Sequence, residues 1–419
     1  MVSGFGIYTE EGSARPTFPV DLSPAVRSQS GPSSRDLSMT LRSTLDGDTT
    51  ILQVEGNLDL HTAPGLASAL RVATGKGIRL DLEGCRYVSS VGLRVLMAAH
   101  KELMGQGRTL ELTQVQKPVL DILEITGLRG MLRVHPLLRR IDLAGCEFLA
   151  AGVCGECYRI DDETVVKVYN EGVAPEIAEQ EKQLAKAAFT LGLPTALSYD
   201  VVTCGRRTGV VYEMLNAELF SRIILRDPES LEGHAARLAD IAHQIHSVRA
   251  AMGLLPDLKQ ILRGDIARLD GVLSRGDVDL LLSRLERIPD DDHCVHFDLH
   301  TSNIMIRDDD PMLLDLGDLS TGSYLFDLGL LAAIYGNPDS GVCERVTRLP
   351  NEMGRRLFES FCASYFARRP DSEAEFFRKN FHFLSAMRPI HVATFLPHFQ
   401  ETWFPRLKEV LMPLIRAEG

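Results

Sequence analysis

No uncharged apolar run in the 419-residue chain approaches the roughly 18–20 residues that a membrane-spanning helix needs, so no membrane role is expected. The opening stretch MVSGFGIYTEEGSARP has no basic start followed by an apolar run, and no signal peptide is expected. An excess of positive charge is missing too. Against 57 acidic residues stand 45 Lys and Arg, a net charge of −12, which disfavours nucleic acid or an anionic membrane as the main partner. The eight cysteines show no framework spacing, and free thiols in a reducing cytoplasm are expected rather than disulfides. Cys154 and Cys157 form a C-x-x-C, but no second pair exists to complete a structural zinc site. They flank a predicted hairpin turn instead of opening a helix, which argues against a low-pKa redox thiol. Aromatic residues make up 6% of the chain, with one tryptophan, Trp403, which is thin material for an aromatic cage around a quaternary amine.

What is present is the composition of a globular protein, 45% apolar and 24% charged, at a length that predicts two or three domains. Residues 1–36 are rich in Ser, Pro, Gly and charge without apolar period, and read as a disordered tail. From about Leu37 a regular pattern begins. TTILQVEGNL (49–58), GIRLDLEGC (77–85) and TLELTQV (109–115) alternate like strands. TAPGLASALRVAT reads as a helix that Thr62 can cap, with Pro64 in its first turn. In the next helix Leu96, Ala99, His100 and Leu103 share one face. KPVLDILEITGL closes the unit with Val119, Ile122 and Leu123 on one side and Gly127 at its end. Strands alternating with short helices predict a compact α/β domain over 37–136.

The segment after the second of these strands, YVSSVGLRVLMAAH, resembles a STAS domain, the fold of anti-sigma-factor antagonists. That family carries Asp-Ser-Ser-Gly-Leu at the start of this helix and is phosphorylated there on a serine. Here the pattern reads Ser89-Ser90-Val91-Gly92-Leu93, with Val91 at the phosphorylated position. Ser89 or Ser90 is either a substitute phosphosite or a helix cap. The resemblance implies a regulatory module that binds a protein partner.

Residues 137–146 change the period and read as a linker. Beyond them, EFLAAGVCGECYRIDDETVVKVY predicts three short strands joined by tight turns. Gly152 and Gly155 allow the backbone to approach a ligand and expose its N–H groups. Lys167 alternates onto a face with Val165 and Tyr169, and a lysine among apolar neighbours needs an anionic partner. In the helix predicted for PEIAEQEKQLAKAAFTLGLP, Glu181 is the candidate carboxylate, with Glu179 the runner-up.

The densest chemistry lies in CVHFDLHTSNIMIRDDDPMLLDLGD (294–318), where His296, Asp298, His300, Asn303, Asp315 and Asp318 crowd together. NIMI and MLLDL flank the turn RDDDP, which predicts a hairpin with Asn303 at its start and Asp315 at its end. His296-Phe297-Asp298-Leu299-His300-Thr301-Ser302-Asn303, followed by an apolar strand ending in Asp315, resembles the aminoglycoside phosphotransferase and choline kinase superfamily, which has a protein-kinase-like fold. Phe297 stands where that pattern has glycine. The resemblance extends to RTGVVYEML, the adenine-receiving hinge near Glu213 to Leu215, and to HAARLADIAHQIHSV, whose His246 reads as a packed core histidine.

The resemblance implies an α/β STAS domain followed by a two-lobed α+β kinase-like domain over 147–419, its N-lobe at 147–216 and its C-lobe at 217–419. It implies ATP or GTP and Mg²⁺ as cofactors and a small-molecule hydroxyl as acceptor. Asp298 would orient and deprotonate that hydroxyl, Asn303 and Asp315 would hold the metal, and Lys167 would pair the phosphates under the Gly152–Gly155 loop. His296 and Asp327 would support the catalytic loop. Two other readings compete. A metal-dependent hydrolase could be built on His296-x-Asp298-x-His300. A signalling protein could use the kinase-like domain to bind nucleotide or phosphorylate a protein, and the STAS domain to bind a regulator.

Overall fold

The computed structural model describes residues 39–152, 154–337 and 341–418. The expected tail, 1–36, lies outside them. The chain divides into two compact units at Arg139/Arg140.

In the first unit the order is β1 (Thr40–Asp46), β2 (Thr49–Glu55), α1 (Ala63–Val72), β3 (Gly77–Gly84), α2 (Ser90–Gly105), β4 (Thr109–Val115), α3 (Lys117–Ile125) and β5 (Arg133–Pro136). The strands line up in sequence order. β1 runs antiparallel to β2, and the pairs from β2 to β5 are parallel. Strict alternation explains the architecture. Ile78, Leu80 and Leu82 of β3 are buried, while Arg79 and Asp81 point to the opposite face. Leu66, Leu96, Leu103 and Val119 from the three helices close over that apolar side. This is the mixed sheet with helices that the sequence predicts, extended by β1 and by the edge strand β5.

Two local details decide how α1 and α2 begin. Thr62 stands at the N-cap of α1 without capping it. Its hydroxyl donates to Asn57 O at 2.7 Å and accepts from Asp59 N at 2.8 Å, so it fixes the preceding turn instead. Ser89 does cap α2, accepting from Gly92 N at 3.3 Å. Gly92 is required by space: a Cβ there would lie 2.7 Å from Leu58 O.

A six-stranded sheet follows, made of β6 (Arg139–Arg140), which falls at the division between the units, β7 (Glu147–Ala151), β8 (Gly155–Arg159), β9 (Thr164–Tyr169), β10 (Ser198–Cys204) and β11 (Arg207–Glu213), in the order β6-β10-β11-β9-β8-β7. Part of the stretch expected as a linker is therefore structured, with Arg139 and Arg140 in an edge strand and Ile141 buried beside Val166 and Val202. The helix α4 (Pro175–Thr190) packs on β10 and β11.

The rest is mostly helical: β12 (Glu218–Leu219), α5 (Phe220–Arg226), α6 (Leu231–Ser247), α7 (Leu258–Ala267), α8 (Arg275–Arg287), β13 (Cys294–Val295), β14 (Ile304–Arg307), β15 (Asp310–Leu313), β16 (Ser320–Thr321), α9 (Leu325–Tyr335), α10 (Val342–Thr347), α11 (Asn351–Phe366), α12 (Asp371–Lys379), α13 (Phe381–Phe395), α14 (Pro397–Arg406) and α15 (Met412–Ala417). The predicted hairpin is β14–β15. Its two-residue turn, Asp308-Asp309, has φ of 49° and 73°, the paired positive values of a type I′ turn. Leu325, Phe326, Leu328, Leu330 and Leu331 are all buried, as is Asp327, so α9 is enclosed on every side and forms the centre of the lobe. At Gly329 a Cβ would meet Leu384 O at 2.5 Å, and this close crossing sets α13 against α9.

Candidate active site

Lys167 sits on β9, in the middle of a sheet whose strand pairing fixes the direction of its side chain. Its Nζ donates to Glu181 Oε1 at 2.9 Å and Oε2 at 3.0 Å, and to Asp315 Oδ1 at 2.7 Å. Glu181, on α4, also accepts from Tyr212 OH at 2.8 Å and from Tyr169 OH. Glu179 points elsewhere and is engaged by Lys182 and by Gln183, the latter at 2.7 Å. Burial would push the Lys167 ammonium towards its neutral form. The adjacent Asp315 and Glu181 carboxylates outweigh it and raise its pKa well above the ordinary range. Burial pushes Asp315 up, and Lys167 overcomes it and holds that carboxyl below its usual value.

Gly155 and Gly152 differ in their reasons. A Cβ on Gly155 would lie 2.1 Å from Val168 O, so this glycine exists to let β8 and β9 pair closely. A Cβ on Gly152 would meet only Gly155 O, at an ordinary 4.0 Å, and the Gly152 N–H donates to that same oxygen at 2.8 Å. Glu213 ends β11, and Leu215 is buried with Ala196 and Met312. The N–H of Met214 between them donates to Glu163 O at 2.7 Å.

The loop of residues 296–303 is held by a buried carboxylate. Asp327, in the first turn of α9, accepts from Phe297 N at 2.7 Å and from His296 N at 3.0 Å. His246 of α6 donates through Nε2 to the same carboxylate at 2.9 Å and takes Tyr365 OH at Nδ1, 2.8 Å away. His246 is thus buried, as expected, and is also a strut for Asp327. His296 bonds Leu314 O through Nε2 at 3.0 Å and accepts from Asp298 N at Nδ1, 3.2 Å away. Both of its ring nitrogens are taken up by backbone groups, Leu314 O and Asp298 N, which counts against His296 as a metal ligand and so against the hydrolase reading. Asp291, Asp292 and His293, the grouping of possible metal ligands found among the described residues, includes none of that motif.

Asn303 donates through Nδ2 to Asp298 Oδ2 and to Asp298 O, each at 2.9 Å. The amide oxygen consequently faces the other way. With the Asp315 carboxylate it offers hard oxygen donors, the type that suits Mg²⁺. The residues present fit that ion.

Several participants were not assigned from sequence. Arg388, on α13, donates through Nη1 to Asp318 Oδ2 at 2.6 Å, and its Nη2 lies 3.4 Å from Asp298 Oδ1. His391, one turn on, reaches Asp318 Oδ1 at 3.2 Å and Asp265 Oδ2 at 2.7 Å. Burial lowers the pKa of this imidazole, but its two carboxylate partners outweigh that and raise it. The signal was a pair of basic residues at i, i+3 inside the apolar helix FHFLSAMRPIHVATF. Phe297 takes a left-handed backbone, φ +59°, at the position where the superfamily pattern has glycine. Its ring is fully buried against Phe326, His391 and the Arg388 guanidinium. Trp403 is buried and stacked on Phe399, so it forms no open cage. Cys154 and Cys157 are unpaired, with thiol pKa values raised by burial.

Residues 146–388 match the family model of the phosphotransferase enzyme family, well over half of the chain. The chain belongs to that family. Residues 41–134 match the model described as Mlab, STAS domain. The first domain is similar to the anti-sigma-B factor antagonist of Listeria monocytogenes, 33% identical over 92 residues, covering 21% of this chain and 81% of that protein. The counterpart from Bacillus subtilis is 27% identical over 85 residues, 20% and 78% of the two chains. Among solved structures, an ADP-bound aminoglycoside phosphotransferase is 14% identical and covers 70% of this chain and 98% of its own, with a TM-score of 0.43. A choline/ethanolamine kinase family protein from Mesorhizobium loti is 16% identical over 66% and 90% of the two chains, with a TM-score of 0.44. No helix among the described residues is long and apolar enough to cross a membrane.

Proposed function

We propose that the second domain transfers the γ-phosphate of ATP or GTP to a hydroxyl of a small molecule, and that the STAS domain regulates it or docks a protein partner. One observation carries this reading. A lysine of the β lobe, clamped by Glu181, reaches Asp315 of the helical lobe at 2.7 Å, in the same domain that pairs Asn303 with Asp298.

The chain's own residues divide the work. Lys167 and the backbone of the Gly152–Gly155 loop hold the nucleotide phosphates, Glu181 keeping the ammonium extended. The base rests near Glu213 and Leu215. Asn303 and Asp315 would hold Mg²⁺, which when bound offsets charge on the phosphoryl oxygens. Asp298 orients the acceptor hydroxyl and takes its proton, while His296 and Asp327 keep its loop in shape.

The test follows label from γ-labelled ATP into a panel of small alcohols, and into the protein incubated alone. Transfer to a small molecule, lost by about 10²–10⁴-fold in Asp298→Asn with the fold retained, supports the reading. Nucleotide binding with no transfer to any acceptor refutes it. A second reading has a protein serine as acceptor, or nucleotide binding that only signals. The fused STAS domain, with Ser90 exposed at the start of α2, favours it. Label entering the protein alone would select it.

A further inference from the structure

Behind Asp298 lies an unbroken chain of alternating acidic and basic side chains: Asp298, Arg388, Asp318, His391, Asp265 and Arg268, the last pair at 2.8 Å. Thr394 adds a hydrogen bond to Asp265 at 3.2 Å. It ties the catalytic loop, the loop after β15, α13 and α7 together. Buried ion pairs add little net stability, because desolvation offsets their attraction. A guanidinium fork is directional, however, and fixes the positions of the carboxylates that it bridges.

We propose that Arg388 is a positioning residue for phosphoryl transfer, aiming the Asp298 carboxylate at the acceptor hydroxyl in concert with Asn303. The assignment rests on the phosphotransferase reading above. Asn303 holds Oδ2 of Asp298 at 2.9 Å, and Arg388 approaches Oδ1, so the two oxygens are steered from different elements. The arginine is anchored independently of Asp298 by Asp318. Its guanidinium also lies 5.3 Å from the centroid of the Phe297 ring. That contact gives the aromatic side chain at a left-handed backbone position a purpose. Phe297 supplies a π face to Arg388 and at the same time carries the peptide that leads into Asp298.

The experiment compares Arg388→Met and Arg388→Lys with the full-length wild type. ATP turnover is measured with water or any accepted alcohol as acceptor, alongside the NMR signals of ¹⁵N-labelled arginine side chains. Arg388→Met is expected to lower kcat by about tenfold to a hundredfold with KM for ATP within about twofold, the size of effect that a misplaced group produces. Arg388→Lys, which keeps charge but loses the fork, is expected to recover only part of it, and added methylguanidinium to raise the turnover of Arg388→Met. Slowly exchanging guanidinium protons of Arg388 are expected in the wild type and should sharpen or shift on Asp298→Asn. Unchanged kcat in Arg388→Met in an active enzyme overturns the proposal while leaving the phosphotransferase reading intact. A wild type without turnover fails that reading and the catalytic use of the arginine together. Guanidinium signals insensitive to Asp298→Asn refute the coupling whatever the activity.

Discussion

Phe297 holds a left-handed backbone that costs a non-glycine residue about 1–2 kcal/mol, and it buries a whole aromatic ring in exchange. Two opposed effects therefore meet at one position, and their sizes can be separated. Removing the ring is expected to cost about 3–5 kcal/mol. Phe297→Gly relieves the backbone while Phe297→Ala does not, so the glycine variant should be the more stable of the two by about 1 kcal/mol, reversing the usual order. Urea denaturation of both variants measures this, and an alanine variant more stable than glycine would contradict the strain. Gly155 and Gly152 give a second contrast. Gly155→Ala drives a methyl into Val168 O and should cost about 1–3 kcal/mol and weaken nucleotide binding, whereas Gly152→Ala meets only Gly155 O, at 4.0 Å, and should leave the melting temperature nearly unchanged.

Among the elements, α2 and α13 allow direct tests. The Ser89 hydroxyl satisfies an orphan N–H at the start of α2, so Ser89→Ala should destabilise the first domain by about 1 kcal/mol, read from its unfolding transition. For α13 the sign of the pH effect follows from His391. Its pKa is raised above the ordinary 6.5 in the folded state, so its contribution is fully present below about pH 6.5 and is lost as pH rises through the folded value. The stability difference between wild type and His391→Gln should therefore shrink from pH 6 to pH 8.5 in matched denaturant titrations. The same two helices show how far sequence reasoning reaches. Period-3.6 and period-2 patterns located β2, β3, β4, α2 and α6, because each buries one face, while apolar runs around the turn RDDDP located the β14–β15 hairpin and the expectation of a nucleotide lobe led to α4. The spacing from Asp298 to Asn303 put those two residues in one loop, where the amide does bond the carboxylate, because a contact within a loop leaves its mark in local spacing. Arg388, His391 and Asp265 escaped notice because the partners that tie them to other elements lie 70 to 129 residues away, and long-range pairing leaves no period in the chain. Tyr169 and Tyr212 were hidden similarly: a tyrosine in a strand looks like packing until its hydroxyl is seen on Glu181.

For the molecule as a whole, the two units have separate cores, one around Leu80 and Leu96 and the other around Leu330 and Leu384. Calorimetry should show two unfolding transitions rather than one. Mg-ATP should raise the second-domain transition, by the mass-action stabilisation that a ligand gives the state it binds, and leave the STAS transition where it was. Movement of both by equal amounts would mean that the domains unfold as one unit. Lys167 has a consequence of its own at this scale. A single ammonium is shared between Glu181 of α4 and Asp315 beyond β15, so any anion that approaches Lys167 meets two resident carboxylates first. Its arrival would exchange one negative partner for another instead of neutralising a bare charge.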